Sequence, residues 1–267
     1  MKLIEQPDSI ETIEPDSLLL GDCLELMKKL PDHSVDAIIC DLPYSTTQCA
    51  WDVLLPFDRL WDAYHRIIRP HGNVVLFGAQ PFTTKIILSN PNEFRYCLYW
   101  LKEKGTGFLN AARQPLRIIE EICVFHCGKV GVRYNPQMVP LDQPRRRSLP
   151  RRKTHAVKSV ASYESPDNTV VDYTHQYPTT LIECARDGGN RGLIATQKPV
   201  ALLEYLVRTY SDVGDTVLDA TMGSGTTGVA CAALRRQFIG MELNAGHFTI
   251  AARRITEAMC PAWLETA

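Results

Sequence analysis

Two short segments hold residue types whose spacing could do chemistry. The first is the tetrapeptide Asp41-Leu42-Pro43-Tyr44, and the second runs from Asp219 through Gly223 and Gly225 to Gly228. In the tetrapeptide an acid precedes a main-chain carbonyl of fixed direction, because Pro43 keeps residue 42 extended. Such a pair suits the exocyclic amine of a nucleobase. An adenine amino nitrogen is a poor nucleophile, since its lone pair is delocalised into the ring. The Asp41 carboxylate and the Leu42 carbonyl would bind its two hydrogens, draw the nitrogen toward tetrahedral geometry and free that lone pair. Tyr44 offers a ring on which a base swung out of a duplex could stack, which offsets part of the unstacking cost. Alone, Asp-x-Pro after a strand is a common turn, so its weight comes from what accompanies it.

What accompanies it is the glycine loop Asp219-Ala-Thr221-Met-Gly223-Ser224-Gly225-Thr226, lying between an expected strand and an expected helix. Glycines let the backbone turn tightly and approach a ligand, and the helix start behind them favours negative charge. Glu242 closes the next strand, placed to accept hydrogen bonds from ribose hydroxyls. The string G-S-G-T-T-G also fits a dinucleotide fingerprint, but no lysine follows it, which excludes a P-loop. Asp219 stands where a pyrophosphate would be repelled and an amino group welcomed, which favours a methyl donor over a dinucleotide.

The elements that must position these residues alternate along the chain as strand and helix, the pattern of an α/β fold with a mainly parallel sheet. Strands are expected at 17–20, 35–40, 73–77, 95–101, 118–125, 215–219 and 237–242. Helices are expected at 23–30, 57–68, from near Pro81, and at 199–210, 226–235 and 246–258, with a turn at Arg69-Pro70-His71-Gly72. In the helix over 199–210, Leu202, Leu203, Leu206, Val207 and Tyr210 follow the spacing of one apolar face. Too little chain follows Glu242 to complete a cofactor half, so its next strand must be SLLL at 17–20. The cofactor half is thus split between the two ends of the chain. Residues 132–195, rich in Pro, Arg, Ser, Tyr and Asp, have weak periodicity and read as an inserted recognition region or flexible loop.

Composition narrows the class. With 45% apolar and 22% charged residues, the 267-residue chain can bury an ordinary core. Its formal net charge of −1 leaves any attraction to nucleic acid to a local patch. No stretch offers the roughly 18 apolar residues of a membrane span, and the acidic N-terminus lacks a signal-peptide core, so a cytoplasmic protein is expected. The nine cysteines are scattered and read as reduced thiols. Cys123, His126 and Cys127 lie close together, but in a strand followed by a turn, and no metal is expected there.

The chain resembles the amino-group (N6-adenine and N4-cytosine) DNA methyltransferases, in the permuted order that puts the catalytic tetrapeptide before the cofactor loop. LLLGDCLELMKKLPDHSVDAIICDLPY resembles the segment leading into the catalytic motif, and TQKPVALLEYLV the motif that binds the methionine part of the cofactor. VLDATMGSGTTGVA and FIGMELNAGHFTIAARRI resemble the loop and the unit after it. The resemblance implies a Rossmann-like, circularly permuted fold with a seven-stranded, mainly parallel sheet. Residues 1–131 would form its catalytic half, 132–195 the DNA-recognition insert and 196–267 its cofactor half. It implies S-adenosyl-L-methionine as cofactor and Asp41, Leu42, Pro43 and Tyr44 as catalytic residues. The cofactor would be held by Asp22 and Cys23 at its adenine edge, by Asp41, by Lys198 facing the donor's carboxylate, and by Asp219, Thr221, Gly223, Ser224, Gly225, Thr226 and Glu242. Two departures stand out. Leu42 replaces the proline of the commoner Asp-Pro-Pro-Tyr, and Asp219-Ala220-Thr221 replaces Asp-Pro-Phe, which removes an aromatic contact to the donor. Asp at position 41, where cytosine-N4 members typically carry Ser, points to adenine N6.

The implied partner is DNA. Residues 145–158 (RRRSLPRRKTHAVK) carry seven Arg or Lys and no acid, and Arg145, Arg146, Arg147, Arg151, Arg152 and Lys153 are candidate phosphate contacts. Lys104, Arg113 and Arg117 lie in a stretch that resembles family DNA-side loops. Both stretches could equally be solvated faces. Permuted members often pair, so a homodimer is compatible with the resemblance. The rival readings are methylation of cytosine N4 or of an amine in RNA, a non-catalytic nucleic-acid-binding protein on the same fold, and a dinucleotide oxidoreductase. Asp219 and the split topology disfavour the last. Intact Asp41, Tyr44, Asp219 and Gly225 disfavour the binder.

Overall fold

A computed structural model describes residues 1–7, 10–44, 54–128, 131–148, 170–185 and 197–260. In chain order its strands are β1 (Lys2–Ile4), β2 (Ser17–Leu20), β3 (Val35–Cys40), β4 (Ile68–Gly78), β5 (Phe94–Thr106), β6 (Arg117–His126), β7 (Val139–Ser148), β8 (Val170–Gln176), β9 (Leu181–Glu183), β10 (Thr216–Asp219) and β11 (Gln237–Glu242). The helices are α1 (Cys23–Met27), α2 (Phe57–Ile67), α3 (Phe82–Ser89), α4 (Val200–Tyr210), α5 (Thr226–Leu234) and α6 (Ala245–Met259).

Nine strands form one sheet in the order β1-β2-β11-β10-β3-β4-β6-β5-β9. Only β6 runs antiparallel to its neighbours β4 and β5. The seven expected strands are its interior, and the short strands β1 and β9 extend its two edges. β2 lies beside β11, with Gly240 opposite Leu18, so the N-terminal strand continues the sheet from the C-terminal one, as expected.

β3 shows why the sheet is legible in sequence. All six of its residues are buried, because successive side chains point to opposite faces and both faces are covered. Ile38 packs with α1, α2 and α3 residues such as Leu26, Tyr64 and Phe82. Ile39 packs on the other face with α4, α5 and α6 residues such as Leu206, Cys231 and Ile255. The turn expected at 69–72 is instead a bulge within β4. Val35 pairs with Ile68 but Ala37 with Asn73, so the intervening residues loop out. Arg69 and His71 from that bulge reach the buried Asp36 carboxylate at 3.0 and 3.2 Å.

The chain divides into two compact units, Met1–Asn135 with Thr180–Ala267, and Pro136–Thr179. The small unit holds the antiparallel pair β7 and β8, in which Arg145 faces Tyr173. Neither strand is expected from the sequence.

Candidate active site

Four neighbouring parallel strands end at one edge of the sheet, and each delivers an acid there. Asp22 follows β2, Asp41 follows β3, Asp219 ends β10 and Glu242 ends β11. The carboxyl edge of an open parallel sheet is where ligands bind, and here it opens into a cavity of about 580 Å³. Every residue expected to be catalytic or to hold the cofactor lines it, except Gly225. Gly225 sits just behind, with φ of 74° at the start of α5.

The glycine loop is braced from three sides. The Asp219 carboxylate accepts from Thr227 Oγ1 at 2.6 Å and from the Thr221 N–H at 3.1 Å. Burial pushes this carboxyl up to about 7, against those hydrogen bonds. Glu242 Oε2 accepts from the Gly223 N–H at 2.9 Å and its Oε1 from the Asn244 N–H at 2.7 Å; burial raises its carboxyl too. Arg254 of α6 donates to Ser224 O, Ser224 Oγ and Thr226 Oγ1 at 2.7, 3.0 and 3.1 Å. Ser224 and Thr226 are therefore tied to the scaffold as well as facing the cavity. Beyond β11, Asp22 caps α1, accepting from the Leu24 and Glu25 N–H groups at 2.8 and 3.1 Å. Burial pushes the neighbouring Cys23 thiol up to about 12, so it is a neutral wall group.

The tetrapeptide follows β3, the strand beside β10, and is locked to the glycine loop, because Thr221 Oγ1 donates to the Asp41 main-chain oxygen at 3.0 Å. Leu42 is buried. The Tyr44 ring stacks on Phe82 at 4.7 Å, and its hydroxyl donates to Asp41 Oδ1 at 2.8 Å. The Lys198 ammonium is shared by the carboxylates of Asp41 and Glu120, the latter at 2.9 Å, and lies 4.9 Å from the centre of the Phe77 ring. Expected to face the donor's carboxylate, it lines the cavity and is paired with two acids of the protein itself. Lys102 completes the network, 3.4 Å from Glu120 Oε2.

The two acids are pushed apart. Burial raises the Asp41 carboxyl above its usual range, opposed by Lys198 and assisted by Glu120. For Glu120 the two lysines outweigh burial and hold it low. Burial would lower Lys198, but the paired carboxylates outweigh it and keep the ammonium charged. One carboxylate is thus poised to accept a proton beside another that stays ionised.

Sequence reasoning missed Glu120, Lys102 and Arg254. The available signal was two adjacent acids, Glu120 and Glu121, inside the otherwise apolar run of β6. Of the expected DNA contacts, Arg117 reaches the cavity rim, Lys104 and Arg113 are exposed nearby in the chain, and Arg145, Arg146 and Arg147 lie on β7. Arg151, Arg152 and Lys153 fall outside the described residues. Cys123, His126 and Cys127 do not converge on a point; among the described residues the one grouping of possible ligands is His65, Glu93 and Cys127.

A Rossmann-like sheet whose edge joins an acid-rimmed glycine loop to an Asp-Leu-Pro-Tyr segment defines a methyltransferase that draws on S-adenosyl-L-methionine. The chain belongs to the DNA methylase family, whose pattern matches residues 35–253. It is 26% identical to the type II methyltransferase M.HpaI of Haemophilus parainfluenzae, over 89% of this chain and 73% of that protein. It is also 26% identical to the DNA adenine methyltransferase YhdJ of Escherichia coli K12, over 92% of this chain and 84% of that one. Among solved structures, the M1.HpyAVI–SAM complex matches with a TM-score of 0.58 at 25% identity, covering 89% of this chain and 98% of that one. The cytosine-N4-specific PvuII DNA methyltransferase shares the fold, with a TM-score of 0.64 at 16% identity, covering 93% and 92%. The chain is thus an S-adenosylmethionine-dependent DNA amino-methyltransferase.

The residues present fit that donor. Asp22, Asp219 and Glu242 offer three carboxylates to a cation with an amine and a ribose diol, and Met222 and Leu243 add apolar wall.

Proposed function

We propose that this enzyme methylates N6 of adenine, with Asp41 and the Leu42 carbonyl as the two acceptors for the amine. When bound, the donor supplies a methyl group already activated on a sulfonium. What remains for the protein is to sharpen a weak nucleophile and take its proton. The single observation that carries the reading is the Asp41 carboxylate, fixed by Lys198 and Tyr44 at the cavity and tied through its main chain to the cofactor loop.

As the amine is methylated it gains positive charge, which the Asp41 carboxylate stabilises before accepting the proton. Glu120 keeps part of the Lys198 ammonium, so that Asp41 is not fully neutralised by it. Lys198 thus serves the acceptor side, while the first turn of α4, opened by Pro199, is assigned to the donor's carboxylate. Asp219 takes the donor's amine and Glu242 its ribose. The aspartate at position 41 and the adenine enzyme among the relatives support adenine over cytosine.

The test is chemical. DNA treated with the enzyme and donor is digested to nucleosides and analysed by mass spectrometry. N6-methyladenine is expected; N4-methylcytosine would overturn the adenine assignment.

A further inference from the structure

The ten residues between Thr106 and Arg117 carry an apolar tip for which the catalytic chemistry has no use. Thr106 and Arg117 are cross-strand partners on β5 and β6, and both line the cavity. The loop between them therefore leaves the cavity rim and returns to it. Its stem is closed: a Cβ at Gly105 would lie 2.7 Å from Leu116 Cβ. Its tip is a single 3₁₀ turn over Phe108–Asn110, held by backbone bonds Asn110 N–H to Gly107 O, Ala111 N–H to Phe108 O and Arg113 N–H to Asn110 O at 3.0, 3.1 and 2.9 Å. On this built turn Leu109 is fully exposed and Phe108 is 69% exposed.

Two adjacent large apolar side chains held in water are costly unless something covers them. The charges around them say what. From Glu103 to Arg117 the chain carries Lys104, Arg113 and Arg117 against one acid, Glu103, and all four are exposed. An apolar tip on a loop that springs from the cavity rim, in a stretch with three exposed cations, matches duplex DNA: phosphates for the cations, stacked bases for the tip. A base drawn out of the duplex leaves a gap in the stack and an orphaned partner, and apolar side chains fill such gaps.

We propose that Phe108 and Leu109 form a wedge that enters the DNA stack where the target base has left it. The wedge rests on the reading of the cavity as the destination of that base. It stabilises the extruded state, so its contribution grows with the strength of the pairing that must be broken.

The test first locates a site that the wild-type enzyme methylates in plasmid DNA. Synthetic duplexes carrying that site are then made with the target base correctly paired or facing an abasic position. Single-turnover methylation is measured for wild type and for Phe108→Ala/Leu109→Ala. On the paired duplex the double variant is expected to lose roughly ten- to hundredfold in rate, the equivalent of part of an unstacking cost. On the abasic duplex it is expected to recover to near the wild-type rate, with donor affinity unchanged throughout. A wild-type rate on the paired duplex would overturn the wedge. So would an equal loss on both duplexes, which would mean a structural role or a different partner for the tip. If the wild-type enzyme methylates no DNA, the functional reading itself falls, and the wedge with it.

Discussion

Asp219 is buried and lines the cavity, and as the proposed partner of the donor's amine it would couple its ionisation to binding. Its folded value of about 7 lies above the usual 3.8. The folded protein therefore keeps a proton that the unfolded chain gives up, and this group's contribution to stability falls as pH rises from about 4 to about 7. A donor amine at this carboxylate favours the ionised form. Donor affinity is then expected to tighten between about pH 6 and about 7.5, with proton release visible by calorimetry in buffers of different ionisation heat. Asp219→Asn should flatten that dependence and weaken binding roughly ten- to hundredfold at the upper end, the cost of about 1.5–3 kcal/mol for one charged hydrogen bond. The acceptor side has its own pH signature. Glu120 raises Asp41 and the Tyr44 hydroxyl lowers it. The acid limb of the single-turnover rate is therefore expected to move to lower pH in Glu120→Gln and to higher pH in Tyr44→Phe. Limbs that stay put in both variants would remove Asp41 as the titrating group.

At the scale of elements, the glycine loop works because α5 can start close to its neighbours. A Cβ at Gly228 would come 2.4 Å from Ile255 Cδ1 and 2.7 Å from the Phe238 ring. Gly228→Ala should destabilise the fold by about 1–3 kcal/mol through overpacking. Because α5 begins at the loop proposed to hold the cofactor, donor affinity should fall with it; thermal unfolding and calorimetry check the two effects separately. Elements of this kind were legible in the sequence. β3 is apolar at every position but Asp36 because both its faces are covered, and α4 shows its apolar face in Leu202, Leu203, Leu206, Val207 and Tyr210, all buried. What could not be read had weaker physical causes. β9 has three residues and only Ile182 buried, so no pattern marks it. β7 and β8 pair with each other in a two-stranded sheet and carry prolines and charges in place of alternating apolar residues. Glu120 and Lys102 lie in strands that hydrophobicity alone identifies, and their meeting with Lys198 depends on a fold that joins residues far apart in the chain.

At the scale of the whole molecule, four acids stand at the carboxyl edge of the large unit's sheet, and a basic stretch begins on β7 of the small unit. Neutralising Arg145, Arg146 and Arg147 together is expected to weaken DNA binding without changing donor affinity. It should flatten the logarithmic salt dependence by about 0.9 for each phosphate that is no longer neutralised. An unchanged slope would make the stretch a solvated surface. In the proposed reaction one carboxylate, Asp41, turns an aromatic amine into a nucleophile. Single-turnover transfer of a labelled methyl group to a duplex carrying the enzyme's own site, compared between wild type and Asp41→Ala at saturating donor, tests it most directly. A loss of roughly a hundredfold or more is expected, with donor affinity near normal. An Asp41→Ala enzyme that transfers methyl groups at close to the wild-type rate would contradict it.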